Sequence, residues 1–212
     1  VIYEDILRAF PDDLRSRWLL NLAYMTLGKF PAEVPKQWLI DPKLFTSKNI
    51  IPTFENTSMH LGLDVNDLAG GVVLDDFTGD GNLDVLTSTW DIEGTLQYFV
   101  NNGDGTFTNK TQAAGLDKVT GGLNLIQADF NNDGFLDIYI VRGGWLDQNG
   151  YLHPNSLLKN NGDGTFTDVT FESGLLTYFP SHSAAWADYD NDGWLDLFVA
   201  NENSMSRLYH NN

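Results

Sequence analysis

Three nine-residue segments of this chain align without a gap, and a repeat of that kind constrains the fold more than any other feature of its 212 residues. They are Asp76-Phe77-Thr78-Gly79-Asp80-Gly81-Asn82-Leu83-Asp84, Asp129-Phe130-Asn131-Asn132-Asp133-Gly134-Phe135-Leu136-Asp137 and Asp188-Tyr189-Asp190-Asn191-Asp192-Gly193-Trp194-Leu195-Asp196, and they begin 53 and 59 residues apart. A second marker alternates with them. It reads Asn101-Asn102-Gly103-Asp104-Gly105-Thr106-Phe107 and Asn160-Asn161-Gly162-Asp163-Gly164-Thr165-Phe166, and Asn211-Asn212 stands where it would begin a third time. Five ordered matches are beyond chance.

The residues around the markers read as strands. Leu136-Asp137-Ile138-Tyr139-Ile140-Val141 and Leu195-Asp196-Leu197-Phe198-Val199-Ala200 are rich in the β-branched and aromatic types that suit a pleated sheet. Asn-Gly-Asp-Gly ahead of Thr-Phe-Thr is a hairpin signal, because glycine supplies the positive φ of a tight turn. Each unit therefore runs strand, acidic loop, strand, variable loop, strand, turn, strand. Four antiparallel strands in about 50 to 60 residues make one β-propeller blade. Strand periodicity alone also allows a sandwich, and it is the repeat that favours the propeller. The expected fold is mainly β, with about three four-stranded blades over residues 49–212 and a short helical segment and linker over 1–48.

The acidic loop offers oxygen ligands at its positions 1, 3, 5 and 9 and a main-chain carbonyl at position 7, with glycine at position 6 for a sharp turn. Calcium takes six to eight oxygens at about 2.3 to 2.6 Å in irregular geometry and suits such a set. Magnesium is the alternative, but it demands a tighter octahedron and keeps several waters. The candidate ligands are Asp76, Thr78, Asp80, Asn82 and Asp84 in the first loop, Asp129, Asn131, Asp133, Phe135 and Asp137 in the second, and Asp188, Asp190, Asp192, Trp194 and Asp196 in the third. About three ions, one per loop, are expected. Leucine at position 8 and an aromatic residue at position 2 are expected to anchor each loop to the core. An EF-hand is excluded: it needs glutamate at position 12 and flanking helices, whereas position 12 here is Thr87, Ile140 or Val199 and each loop runs into a strand. Polar turns capped by their own aspartates are the plainer reading. Against it, three or four carboxylates in nine residues repel one another without a cation. Affinity is expected to fall from the third loop, with four carboxylates, to the first, where the hydroxyl of Thr78 replaces a stronger ligand.

The Asp-aromatic-Asx-x-Asp-Gly-x-x-Asp loop, with the Asn-Asn-Gly-Asp-Gly-Thr-Phe turn, resembles the FG-GAP or VCBS repeat over roughly Pro52 to Asn212. Within that family the chain is similar to the ASPIC/UnbV-associated propellers related to cartilage acidic protein. The resemblance implies calcium in the loops and a ring of about seven blades, as in integrin α-subunits and bacterial surface proteins. Three blades left open would expose unpaired strand edges, which native proteins avoid. Further blades, expected to follow Asn212, would close the ring.

Residues 1 to about 48 lack the repeat. Asp12-Asp13 followed by Leu14, Trp18, Leu19, Leu22 and Met25 predicts a helix ended by Gly28 and Pro31. Trp18 to Tyr24 with Gly28-Lys29-Phe30 resembles the first helix of a tetratricopeptide repeat, which implies protein binding; a terminal helical cap is the alternative. Pro31, Pro35, Pro42 and Pro52 predict an extended linker.

Composition narrows the partners. A net charge of -17 disfavours nucleic acid and anionic membrane surfaces, which select clustered Lys and Arg. With no cysteine, disulfides and thiolate sites are excluded. No stretch reaches the roughly 20 apolar residues of a membrane span, and Val1-Ile2-Tyr3-Glu4-Asp5 lacks the form of a signal peptide. The chain is thus expected either to be cytosolic or to begin inside a longer precursor. The Asn56 and Asn109 sequons, and the millimolar calcium found outside cells, favour an extracellular, cell-surface or periplasmic place. None of His60, His153, His182 and His210 belongs to a catalytic motif, so no enzyme activity is expected. The longer loop of the second unit, with Arg142, Gly143, Gly144, Trp145, Tyr151 and His153, suits either recognition or simple length drift. The expected function is a non-catalytic calcium-binding module for protein or glycan contact, adhesion or scaffolding. The alternatives are the scaffold of a polysaccharide-acting enzyme and a structural subunit of an extracellular fibre or complex.

Overall fold

The computed structural model describes residues 2–46, 54–143, 150 and 152–212. The chain divides into two compact units, Val1–Glu55 and Asn56–Asn212.

In the first unit, α1 (Ile2–Ala9) and α2 (Leu14–Thr26) form a helical pair. Asp13 caps α2, accepting from the Arg15 N–H at 3.1 Å and the Ser16 hydroxyl at 2.7 Å. Past its other end Gly28 adopts φ +68°. The expected α2 is present, but its buried face is not the expected one. Leu14, Trp18 and Leu22 are exposed, while Ser16, Leu20 and Asn21 are buried. The reason lies in the residues that follow. The stretch expected as an extended linker folds back in turns that bury Val34 and Trp38, then forms a 3-10 helix at Pro42–Phe45. Asn21 donates to the Trp38 carbonyl at 2.8 Å and accepts from the Ile40 N–H at 3.0 Å. Those bonds make a polar residue the right one for a buried position. Leu7, Leu20 and Trp38 then form the core of the unit. Helix α1 was not expected from the sequence, and Pro52 lies outside the described residues.

The second unit opens with one helical turn, α3 (Ser58–Leu61). Among the described residues eleven strands follow: β1 (Ala69–Asp75), β2 (Asp84–Thr89), β3 (Gln97–Asn101), β4 (Phe107–Asn109), β5 (Asn124–Ala128), β6 (Asp137–Val141), β7 (Ser156–Asn160), β8 (Phe166–Asp168), β9 (Ser181–Ala187), β10 (Asp196–Asn201) and β11 (Arg207–Tyr209). They form three antiparallel meanders, β1-β2-β3-β4, β5-β6-β7-β8 and β9-β10-β11. This is the mainly β, blade-like architecture expected from the repeat. Each acidic loop joins the first two strands of its sheet, and each Asn-Gly-Asp-Gly turn joins the last two.

The sheets stack face to face, with β1 against β5 and β5 against β9. Alternation along β6 shows how the stack is held. Ile138 and Ile140 join Leu86, Leu96 and Tyr98 in a core between the first and second sheets. Tyr139 and Val141 join Leu197 and Val199 in a second core between the second and third. The middle strand is buried on both faces because side chains alternate across a sheet that has a neighbour on each side.

The loop anchors follow the same logic with a direction that the sequence does not show. The position-2 aromatic packs forward onto the next sheet: Phe77 meets Phe166 at 6.4 Å and Phe130 stacks on Trp186 at 6.4 Å. The position-8 leucine packs backward, as Leu136 does onto the first core. Tyr189 in the last sheet and Leu83 in the first are therefore 53% and 54% exposed. These two copies correct the expectation that every anchor is buried.

Arg142, which the sequence placed in a longer loop suited either to recognition or to simple length drift, is buried and structural. Its guanidinium donates to the Thr120 carbonyl at 2.9 Å, the Pro154 carbonyl at 2.6 Å and the Ser156 hydroxyl at 2.7 Å. Gly144, Trp145 and Tyr151 lie outside the described residues. Among the described residues no helix is long and apolar enough to cross a membrane.

Candidate metal centre

The three loops share one set of main-chain bonds. The position-9 aspartate uses both oxygens. Asp84, Asp137 and Asp196 accept from the N–H of Phe77, Phe130 and Tyr189 at 3.1, 3.2 and 3.1 Å. They also accept from the N–H of Asn101, Asn160 and Asn211 at 2.9, 2.8 and 2.8 Å. The position-1 aspartate accepts from the glycine at position 6: Gly81 to Asp76 at 2.8 Å, Gly134 to Asp129 at 2.8 Å and Gly193 to Asp188 at 3.0 Å. These glycines have φ of +88°, +89° and +94°, which residues with a β-carbon rarely adopt. The position-5 aspartate accepts from the N–H at position 7, which fixes Asn82, Phe135 and Trp194 at 2.8, 3.0 and 2.9 Å. The carboxylates at positions 1, 5 and 9 thus each accept from backbone, and a carboxylate has further lone pairs that could face a cation.

In the third loop the carboxylate oxygens of Asp188, Asp190 and Asp196 lie within 4.8 Å of one another. A second group brings Asp190 and Asp192 to His210, which sequence reasoning did not single out as a neighbour of the loop. The His210 Nδ1 is 3.1 Å from Asp196 and 3.4 Å from Asp190. Its place, one residue before the third Asn-Asn, was the available signal. Among the described residues such convergence of three groups is confined to this loop. In the second loop Lys159 approaches Asp133 at 3.3 Å and the Asn131 amide donates to Asp133 at 2.8 Å. In the first, the Thr78 hydroxyl donates to Asp76 at 3.3 Å.

The electrostatics mark a charge imbalance. Burial raises Asp137 to about 7; the Asn160 and Phe130 N–H groups oppose this, and repulsion from Asp133 and Asp129 adds to it. Asp84 is raised for the same reasons, with Asp80 and Asp76 as its neighbours. Asp196 moves the other way. Burial pushes it up, but the Asn211 and Tyr189 N–H groups and the His210 ring together outweigh that. In the first two loops, oxygen donors around a position-9 carboxylate that resists ionising fit a hard divalent cation, whereas in the third the His210 ring stands beside the carboxylates.

Among the described residues His182 joins no such cluster. It lies in β9, exposed, with Nε2 at 2.8 Å from Glu202.

The chain belongs to the FG-GAP-like repeat family, whose model matches residues 45–140 and 145–199. It is similar to cartilage acidic protein 1 of Xenopus tropicalis, with 33% identity over 103 residues, 48% of this chain and 15% of that protein. It is also similar to cartilage acidic protein 1 of Homo sapiens, with 34% identity over 116 residues, 52% of this chain and 17% of that protein. The matched part spans about a sixth of the length of these curated relatives.

Proposed function

We propose that this chain is a calcium-stabilised, non-catalytic propeller module that serves extracellular protein contact, adhesion or scaffolding. The observation that carries the reading is the meeting of Asp188, Asp190 and Asp196 within 4.8 Å on a loop already shaped by its own backbone bonds. Asp188, Asp190, Asp192 and Asp196 would hold the ion with a main-chain oxygen of Trp194. The first and second loops would do so with Asp76, Thr78, Asp80, Asn82 and Asp84, and with Asp129, Asn131, Asp133, Phe135 and Asp137. When bound, calcium supplies positive charge that offsets carboxylate repulsion and fixes the loop between two strands.

A structural role follows from where the loops stand. Their position-9 aspartates are buried and tied to the end of the third strand of the same sheet, or at Asn211 to the residues just past it, so a cation that orders the loop also steadies the sheet. The carboxylates are committed to backbone and cation, which supports a scaffold rather than an acid–base centre. The Asn56 and Asn109 sequons and the similarity to proteins named for cartilage support a place outside the cell, where millimolar calcium fills sites of this kind. The test is calorimetric titration of the chelator-treated chain with calcium. Binding with Kd on the order of 10⁻⁴ to 10⁻³ M is expected. Absence of binding at millimolar calcium, or equal binding by an Asp188→Ala, Asp190→Ala double variant, sinks the reading.

A further inference from the structure

The residue just before the first asparagine of each turn marker differs from sheet to sheet: Val100, Lys159 and His210. The three backbones are equivalent there, because Asn101, Asn160 and Asn211 make the same main-chain bond to the position-9 aspartate. From that place a polar side chain reaches one particular atom. In every loop Oδ1 of the position-5 aspartate is held by the position-7 N–H, which leaves Oδ2 for another partner. Lys159 Nζ lies 3.3 Å from Asp133 Oδ2, and His210 Nε2 lies 3.9 Å from Asp192 Oδ2. Val100 has no polar side-chain atom and packs on the core between the first and second sheets.

The two polar versions have opposite chemistry. Lys159 sets a positive charge against an oxygen that a cation in the second loop would use, and the Asn131 amide donates to that same oxygen at 2.8 Å. An arriving cation must displace the ammonium, and repulsion between the two charges persists afterwards. His210 brings a lone pair instead. With the ring proton on Nδ1, donated to Asp196 at 3.1 Å, the Nε2 lone pair faces Asp192. A carboxylate behind an imidazole is the arrangement that orients a metal-ligating histidine. Ligand atoms of Asp190, Asp192 and His210 lie within 4.8 Å of one another. Calcium takes oxygen ligands, whereas imidazole joined to carboxylates suits zinc and its neighbours among the transition metals.

We infer that the residue before each turn marker selects the cation of the loop beside it. His210 opens the third loop to a divalent transition-metal ion of the zinc class, in competition with calcium. Lys159 weakens the second loop for any divalent cation, and Val100 leaves the first loop to its own oxygens. The inference rests on the reading of these loops as cation sites.

The test titrates zinc, and separately calcium, against terbium bound in the third loop and followed by its tryptophan-sensitised emission. The ratio of the two half-displacement concentrations does not depend on the affinity for terbium. Loss of even an outer partner of a metal ligand costs about 10- to 100-fold, so His210→Val is expected to raise the zinc value on the order of tenfold or more. The calcium value should move less than about threefold, because its ligands are oxygens. His210→Gln, which keeps a polar side chain, is expected to do the same and guards against a folding defect, which far-UV circular dichroism also checks. Lys159→Val is read by calorimetry in an Asp190→Ala background that silences the third loop. There one of the remaining calcium phases is expected to tighten about threefold. An unchanged zinc-to-calcium ratio in both His210 variants overturns the role of His210, and unchanged calcium binding in Lys159→Val overturns that of Lys159. A wild-type chain that binds neither calcium nor terbium fails the reading of the loops themselves, and the inference with it.

Discussion

The side-chain amide of Asn160 donates to the main-chain carbonyl of Phe77 at 2.9 Å, joining residues 83 apart in sequence. The same amide reaches Leu136 O of its own sheet at 3.2 Å. Asn211 repeats the pattern one sheet later, donating to Phe130 O at 2.7 Å and Leu195 O at 3.2 Å. Asn160 and Asn211 thus each fasten their sheet to the acidic loop of the sheet before it. Asn101, in the first sheet, has the Leu83 carbonyl at 3.1 Å as the partner of its amide nitrogen.

That difference sets the first prediction. Asn160→Ala leaves the buried Phe77 carbonyl without its donor and is expected to cost about 2 kcal/mol in urea unfolding. Asn101→Ala, on a more exposed residue with no inter-sheet bond, is expected to cost less than half as much. Equal losses would mean that the inter-sheet bond adds nothing.

Calcium should fill the third loop first. Trp194 at position 7 and Tyr189 at position 2 stand beside that site, so terbium bound there is expected to show tryptophan-sensitised emission. Asp190→Ala should abolish the early phase of a terbium titration and leave a weaker one. Saturating calcium is expected to raise the melting temperature, since a ligand at 100 times its Kd stabilises by about 2.7 kcal/mol. A titration in which the first loop fills before the third contradicts the ranking by carboxylate count.

Arg142 makes three hydrogen bonds from a buried guanidinium to two separate segments, Thr120 on one and Pro154 and Ser156 on the other. Arg142→Met keeps the apolar stem and loses every donor, and a loss of about 3 kcal/mol is expected. Arg142→Lys should recover only part of this, because a single ammonium cannot match the planar fork. Full recovery by lysine in chemical denaturation would refute the geometric account.

The cap of α2 carries a pH signature. The Ser16 hydroxyl, with the Ser16 and Arg15 N–H groups, holds the Asp13 carboxyl below its ordinary value of 3.8 despite some desolvation. A depressed folded value means the stabilisation is present above pH 3.8 and is lost as pH falls through the lower folded value. Wild type is therefore expected to lose helix signal in that acid range, whereas Asp13→Asn, which still caps but does not titrate, should lose less. Identical acid profiles by circular dichroism would remove the cap as the cause.

Much of the second unit is legible from sequence because its signals are local. Loop spacing, Gly134 and Gly193 at a positive φ, and the strands after them need only neighbouring residues to be specified. The first unit resists such reading. Asn21 belongs inside because Trp38 and Ile40, far along the chain, supply its partners, and no periodicity of α2 announces that. Arg142 misleads in the same way, since a charged residue near a variable loop looks exposed until Thr120, Pro154 and Ser156 close around it.

By itself the sequence determined the repeat, the acidic loops with their donor atoms, and the antiparallel strands that carry them. Those features depend on φ preference, alternation and ligand chemistry, all of which are short-range. Tertiary structure decided which copies are covered. Phe77 is buried and Tyr189 exposed, although both hold position 2, because the anchor packs on the next sheet rather than its own. It also decided that His210 meets Asp190 and Asp196. Identical local sequence reaches different ends because burial is set by neighbours in space.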